Sequence, residues 1–550
     1  MLIVMLVLLR VVCLDSDAYA RLSWSSALLT DEGFYLHNAR NLILFGHQRT
    51  DDFNNALIMP LLHFLQVVVF RVAGVGVVQA RSLSVVTSLL TLLVFFCAMR
   101  RAFSPRTAWL SLLLLGLDPV FTLYNRLALM DTPACLPLVC GFYAWVRARE
   151  RPGPAGTKWL MGCGLCLGLA YTVRGLAAVV VPVPLLLLLL PALRQWQQRR
   201  QSGQELPPDF QPPDKAASRE FSLSSCLALL VGLALVLGVY LLLWYLPHHE
   251  EIARVNAYYL HHQLLPRNIH TLLANLQAAL MDRHRGVVSF LMTHSPILFL
   301  LGCIRILQNL HLQKQEQQNS ANDHANYLSG WFLIMLLFVS TVDYAPSRYY
   351  VLFYPALAGL AALSLDALLR RAAQGGRRTP AGAVALIVAA WVGMNAYWYA
   401  DWITHLTYRQ RDADHWLAAH LPANSVLLGA VAPGLCLNNR LRCVPVIEDL
   451  CNDNAPVEKF ADSPCYILIL DGDYDGKGNP PSAAQLSRAE RWKERWWMRH
   501  YPDLVRPEAR LHAFPAMLRP FFTIGVYPVP HHLVNRSSSD HLKRSLRNVR

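Results

Sequence analysis

Charge is scarce along this chain. Asp, Glu, Lys and Arg make up 16% of its 550 residues, where an ordinary soluble domain carries about 25%. The deficit falls on the acids, 36 against 50 basic residues, which leaves a formal net charge of +14. Such an excess is common in nucleic-acid binders, but the basic clusters here contain no interleaved aromatic residues to stack on bases, and that reading is excluded. No glycine-rich loop follows a strand-like run, so a nucleotide-binding site of the dinucleotide type is missing; Gly375-Gly376 sits in a basic loop and reads as a turn. The twelve cysteines show no zinc-ribbon spacing, and Cys163-Gly-Leu-Cys166 lies inside an apolar run, where it packs.

What the chain has in excess is apolar length. Hydrophobic residues are 54% of the total and mean hydropathy is +0.29. Runs such as Ser222 to Leu246 and Ala381 to Tyr397 are nearly free of charge. A helix rises about 1.5 Å per residue, so roughly 20 such residues cross the hydrocarbon of a bilayer. Repetition of these runs predicts an α-helical polytopic membrane protein.

The basic residues give the topology. Arg100, Arg101 and Arg106 form one cluster, Arg147, Arg149, Arg151 and Lys158 a second, and Arg370, Arg371, Arg377 and Arg378 a third. Positive loops stay in the cytoplasm. All three fall there if the spans are 1–14, 82–99, 106–123, 131–146, 159–173, 175–193, 221–246, 288–307, 327–342, 349–369 and 381–399, about eleven in all, with the loop 194–220 on the same side. Residues 1–14, apolar apart from Arg10, read as a retained first span, with a signal peptide as the other reading. The apolar run 57–75 is left out of the count as a helix lying at the outer interface or packed on the bundle. Residues 1–400 then form a transmembrane domain with a large first outer loop, 15–81. Shorter outer segments are 124–130, 247–287 and Asp343 to Arg348. Residues 401–550 form an extracytoplasmic domain, small and α/β, with strands expected at Val426 to Gly429, Cys443 to Ile447 and Tyr466 to Leu470 and helices near 409–420 and 485–500. Its cysteines, Cys436, Cys443, Cys451 and Cys465, are able to form one or two disulfides in an oxidising compartment.

Acidic residues near that outer surface are the features to explain. Asp31-Glu32-Gly-Phe-Tyr35 follows Thr30, a residue able to cap a helix, and an acidic pair in a first turn is favourable in its own right. Asp51-Asp52 before the 57–75 helix admits the same explanation. Arg126 and Asp131, five residues apart at a helix junction, either pair with each other or lie in headgroup water. Arg174 and Arg348-Tyr349 lie between apolar runs at the same edge, and two converging arginines suit a phosphate or pyrophosphate.

Taken together, Asp31-Glu32 with Tyr35, the later acidic pair before Pro60, Arg126 to Asp131, and Arg348-Tyr349 followed by Pro355 resemble the polytopic glycosyltransferases of the GT-C type, and among them the bacterial relatives of protein O-mannosyltransferases and of the lipid A aminoarabinose transferase. The resemblance covers about residues 1–400. It implies the GT-C fold and transfer of a sugar from a polyprenyl-phosphate donor to an acceptor hydroxyl of a protein, lipid or glycan at the non-cytoplasmic membrane face, in a bacterial inner membrane. Carried over residue by residue, Asp31 becomes the catalytic aspartate, acting as general base on the acceptor hydroxyl or orienting it, Glu32 its neighbour shaping the site, and Arg348, Arg174 and Tyr349 the donor-phosphate group. Arg126 and Asp131 become a pair bracing the cavity roof, beside Tyr35. One of Asp51 and Asp52 takes the place of an acid that in some members binds a divalent metal cation; here the family's acid followed by two prolines is replaced by Asp51-Asp52-Phe-Asn-Asn-Ala-Leu-Ile-Met-Pro60. A single displacement would invert the anomeric centre, since a retaining reaction needs a second carboxylate about 5 Å away.

Other functions compete. A flippase or transporter of lipid-linked saccharides needs charge along the interior of several spans, and a polymerase or ligase of surface polysaccharide also displays outer arginines. His248-His249 and His261-His262 flank an outer loop as surface or acceptor contacts. Trp492 and Trp496, four apart, either form a sugar platform or pack on the membrane domain. Asn535-Arg-Ser537 is a glycosylation sequon of consequence only in a eukaryotic host.

Overall fold

The computed structural model describes residues 1–23, 27–151, 153–189, 223–260, 266, 268–282, 286–314, 320–374, 378–471, 496–497, 499–515 and 523–530. Arg377, the loop 194–220, His261-His262, Trp492 and the Asn535 sequon lie outside these residues.

The chain is a mostly helical membrane protein with a small sheet at its C-terminal end. Among the described residues, five helices are long and apolar enough to cross a membrane: Val77–Ala102, Ser224–Tyr259, Asn322–Thr341, Ser347–Gln374 and Ala381–His420. The pair Val287–His294 and Pro296–His311, bent by 116°, makes a sixth if counted as one broken span. This is fewer than the expected eleven. Part of the reason is local: helix α7 (Asp131–Glu150) contains Pro137 and ends in Arg147 and Arg149, and helix α1 (Leu2–Val11) has only 10 residues.

Helix α2 (Ala27–Phe45) belongs to the first loop. It is followed by α3 (Pro60–Ala73), which Pro60 opens at a position where no amide hydrogen is missed. At 14 residues, α3 is about 21 Å long, shorter than the roughly 30 Å hydrocarbon layer. It packs on α2 and on α8 (Pro154–Val173).

Helix α4 (Val77–Ala102) measures the bundle. Arg81 near one end bonds Glu32, and Arg101 near the other bonds Glu150; their 20-residue separation is about 30 Å, one hydrocarbon thickness. At the Arg101 end, Glu150 also takes Arg147, Arg149 pairs with Asp323, and Asp366 takes Arg106 and Arg370. These contacts gather residues of all three basic clusters at one end of the bundle.

The C-terminal sheet has the order β2-β1-β3-β5-β4, with β1 Val426–Leu428, β2 Arg442–Val444, β3 Cys465–Asp471, β4 His512–Pro515 and β5 Thr523–Pro528. Strands β2, β1 and β3 are parallel, with Leu427 opposite both Cys443 and Tyr466, while β5 runs antiparallel to β3. The helix Arg409–His420 lies where the sequence places it; it is anchored from the first loop by Asp17, whose carboxylate accepts from the Arg409 and Gln410 amides and from Thr407. Trp496 and Trp497 are buried in the sheet's own apolar core, edge to face at 4.9 Å, so the described member of the expected tryptophan pair packs there, neither on the membrane domain nor as an open platform. The four tail cysteines are free thiols in this structure.

Candidate active site

Three helix junctions and one loop helix meet at the end of the bundle opposite the basic clusters. Asp131 is the first residue of α7, Arg174 follows the last residue of α8, and Arg348 sits in the 3-10 turn Ser347–Phe353 that leads into the next long helix. Asp31 comes from α2. That helix is already formed at Ala27, so Asp31 lies inside it and the capping explanation for the acidic pair does not hold. The residue before Arg348 is fixed from two sides, Ser347 Oγ and Tyr124 OH meeting at 2.8 Å beside the Leu22 carbonyl.

The four charges are buried and interlocked. Arg348 Nη1 is 2.6 Å from Asp31 Oδ2, and Arg348 Nε is 3.9 Å from Asp131 Oδ2. Arg174 Nε is 3.1 Å from Asp131 Oδ1. The Tyr349 ring lies under both cations, its centroid 4.5 Å from the Arg174 guanidinium and 5.1 Å from that of Arg348. Such contacts hold a guanidinium by its face and leave its edge free to donate. Charge, not hydrogen-bond alignment, joins the pairs: Arg174 Nε, Arg348 Nε and Nη1 and both Asp131 oxygens complete no hydrogen bond among the described residues. An anion whose oxygens reach these donors completes the hydrogen bonds that the carboxylates leave unmade.

These residues border a cavity of about 370 Å³. Asp31, Arg174, Arg348, Tyr35 and Tyr349 line it. One wall is apolar and comes from the bundle, with Leu176, Val179 and Phe338; the other comes from the first loop, the helix His249–Tyr259 and the C-terminal region, with Asn55, Asn256, Tyr259, Ile447 and Leu450. Tyr258, Tyr259, Tyr344 and Ile447, which also line the cavity, were not legible beforehand, because loop residues without charge carry no pattern until folding brings them together.

Several expected members stand elsewhere. Glu32 points away from the cavity: both its oxygens are taken by Arg81 at 2.8 and 2.6 Å, and the Ala128 amide adds a third bond at 2.7 Å. Arg81 in turn donates to the Leu14 and Ser16 carbonyls. Its only sequence signal was an arginine at the head of an apolar run. Arg126 does not pair with Asp131. It donates to the Leu9 and Cys13 carbonyls at the end of α1 and lies over the Trp402 ring at 4.6 Å, while Asp131 goes to the two arginines that can reach it.

Asp51 and Asp52 do not fit the metal role. Asp51 Oδ2 accepts from His37 at 2.8 Å and Thr50 at 3.1 Å, and its Oδ1 from the Phe53 amide at 2.8 Å and Asn452 at 3.1 Å. Every lone-pair site of that carboxylate is used. Asp52 is exposed and paired with Lys459. Among the described residues no group of three His, Cys, Asp or Glu side chains is placed to hold a metal ion. His248 and His249 bond back to the Trp244 and Leu246 carbonyls of their own helical stretch.

Comparison with known proteins adds to this geometry. Residues 59–202 match the family model of dolichyl-phosphate-mannose-protein mannosyltransferases. No curated protein matches the chain. Among solved structures it is similar to ArnT from Cupriavidus metallidurans bound to undecaprenyl phosphate, at 17% identity and a TM-score of 0.56 over 96% of this chain and 97% of that one. The archaeal oligosaccharyltransferase AglB from Archaeoglobus fulgidus, in complex with an inhibitory peptide and a dolichol-phosphate, matches at 12% identity and a TM-score of 0.50 over 85% and 68% of the two chains. The same oligosaccharyltransferase in complex with Zn and sulfate matches at 13% identity and a TM-score of 0.50 over 85% and 67%. At such identities these likenesses establish the fold.

Proposed function

For a chain that is a polytopic membrane protein of the GT-C glycosyltransferase fold, we propose transfer of a sugar from a polyprenyl-phosphate donor to an acceptor hydroxyl at the non-cytoplasmic face, the periplasmic side of a bacterial inner membrane. The observation that carries the reading is that Arg348 and Arg174, buried and held at ion-pair distance by Asp31 and Asp131, line a cavity with an apolar wall and keep N–H groups that complete no hydrogen bond among the described residues. A lipid phosphate meets both features at once: its oxygens take the guanidinium donors and its chain lies along Leu176, Val179 and Phe338. The family match and the lipid phosphates bound by the two structural relatives support the same donor class.

The chemistry follows from the charges. Neutralised by two guanidinium groups, a phosphate leaves the anomeric carbon without needing a proton. The acceptor hydroxyl gives its proton to a carboxylate within reach as its oxygen forms the new bond. Asp31 is the carboxylate among the described residues that lines the cavity. Asp131 is held between Arg174 and Arg348, and Glu32 is held by Arg81. Among the described residues no second carboxylate lines the cavity, and a single displacement with inversion follows from that arrangement. Arg126 braces the end of α1, and no step is assigned to a metal ion.

The test is transfer of label from a radiolabelled polyprenyl-phosphate hexose in membranes containing the chain. Transfer that is lost in Asp31→Asn, with the protein inserted normally, supports the assignment. Transfer unchanged in that variant removes Asp31 as the base.

A further inference from the structure

Open α/β sheets hold ligands at the carboxyl ends of neighbouring parallel strands from which the chain departs in opposite directions. In the C-terminal sheet that place is the end of β1 beside β3. A segment of the same chain packs on the β1 side of it. Phe34 of α2 belongs to one buried cluster with Ala430 and Ile447. Gly33 lies so close to the turn after β1 that a Cβ there would collide with the backbone of Pro433 and Gly434. Seven residues on, Arg40 donates to the carbonyls of Cys436 at 2.9 Å, Asn439 at 3.0 Å and Leu441 at 2.7 Å, and is fully buried.

Helix geometry relates this grip to the proposed base. Residues seven apart fall on nearly the same line of a helix, so Gly33 and Arg40 share one face. Asp31 lies about 200° from Gly33 and about 180° from Arg40 at 100° per residue. One face of α2 is therefore clasped by the sheet while the opposite face carries Asp31, with Tyr35 one turn on, to the cavity. Alanine in place of Gly33 would by itself favour a helix; close approach to Pro433 and Gly434 explains why glycine stands there.

We propose that the C-terminal sheet is a positioning part of the active site: through Gly33, Phe34 and Arg40 it sets the rotation of α2 and with it the reach of Asp31. This rests on Asp31 acting as the base. A misplacement of about 1 Å in such a group costs about 10²-fold in rate, so small shifts of the clasp are read out in turnover before they are felt in donor binding, which belongs to Arg348 and Arg174 on other elements.

The test compares three full-length variants, each checked for folding by its thermal unfolding midpoint in detergent. Gly33→Ala is expected to lower kcat for transfer from polyprenyl-phosphate hexose at least tenfold while the Kd for undecaprenyl phosphate rises no more than threefold. Arg40→Lys, which keeps the charge and loses the fork of donors, is expected to show the same split to a smaller degree. Lys459→Ala removes an exposed contact between the C-terminal region and the first loop at Asp52, off α2, and is expected to leave both constants unchanged. Folded Gly33→Ala and Arg40→Lys proteins with wild-type kcat overturn the proposal, and so does a loss of undecaprenyl phosphate binding in step with kcat. If the wild-type chain binds undecaprenyl phosphate but transfers no sugar, the transferase reading fails and this inference with it.

Discussion

Arg348 Nη1 stands 2.6 Å from Asp31 Oδ2, so the guanidinium proposed to hold the donor phosphate also covers the carboxylate proposed to take the acceptor proton. A phosphate drawn to Arg348 competes with Asp31 for the same cation. The two proposed roles together predict that donor arrival and base release are one event, with the donor bound before the acceptor reacts.

Arg348→Ala accordingly removes two functions together. Hydrogen bonds to charged groups are worth roughly 1.5–3 kcal/mol, so the Kd for undecaprenyl phosphate is expected to rise by about 10- to 100-fold, with a larger loss in transfer. Equilibrium binding of the lipid phosphate and initial rates measure the two separately. Undiminished binding in this variant would remove Arg348 from the donor site.

Asp31→Asn separates them. Loss of a general base costs about 10²- to 10⁴-fold in rate, and without the carboxylate Arg348 is released to the phosphate. Transfer is expected to fall by that factor while undecaprenyl phosphate binds at least as tightly as to the wild type. Weaker binding would place Asp31 on the donor side.

Glu32 is expected to matter for folding and not for turnover. Its pair with Arg81 is almost fully buried, and removing one partner of such a pair costs about 3–5 kcal/mol because the other charge is stranded. Arg81→Met should sharply lower the unfolding midpoint in detergent, and Arg81→Met with Glu32→Gln should recover part of the loss. A double variant no more stable than the single one would contradict the pairing.

The buried pair of His37 and Asp51 links stability to pH. Burial works against both charges, but their mutual attraction and hydrogen bond outweigh it, raising His37 to about 9 and holding Asp51 below the usual carboxylate range. The histidine's contribution is complete below its unfolded pKa of about 6.5 and is lost as pH rises through about 9; the aspartate's is present above about 3.9 and lost as pH falls below that. The unfolding midpoint should drop between about pH 6.5 and about pH 9 and should lose that limb in His37→Gln. An equal alkaline drop in the variant would assign it to other groups.

The order of apolar runs and basic clusters carried much of the fold. Hydrophobic length is a local property, so the membrane class was legible residue by residue, and the joining of Arg101, Glu150, Arg149 and Asp323 at one end agrees with the shared side read from charge. Strands β1 and β3 and the helix Arg409–His420 were legible for the same reason, as short runs with the right period. The convergence of Asp31, Arg174 and Arg348 was an expectation from family resemblance; each alone looked like a capping or headgroup residue.

Partner choice was not legible. Arg126 is five residues from Asp131, yet it goes to the carbonyls of Leu9 and Cys13, while Asp131 goes to Arg174 and to Arg348, the latter more than 200 residues away in sequence. Glu32 adjoins Asp31 and serves a different cation. Adjacent helix residues point about 100° apart, so two neighbouring carboxylates are delivered to different surroundings whatever their order in the chain. Sequence alone determined that this protein lives in a membrane and keeps its basic ends together. Only tertiary packing decided which acids meet which arginines, because a buried charge takes the partner that geometry brings within a few ångströms.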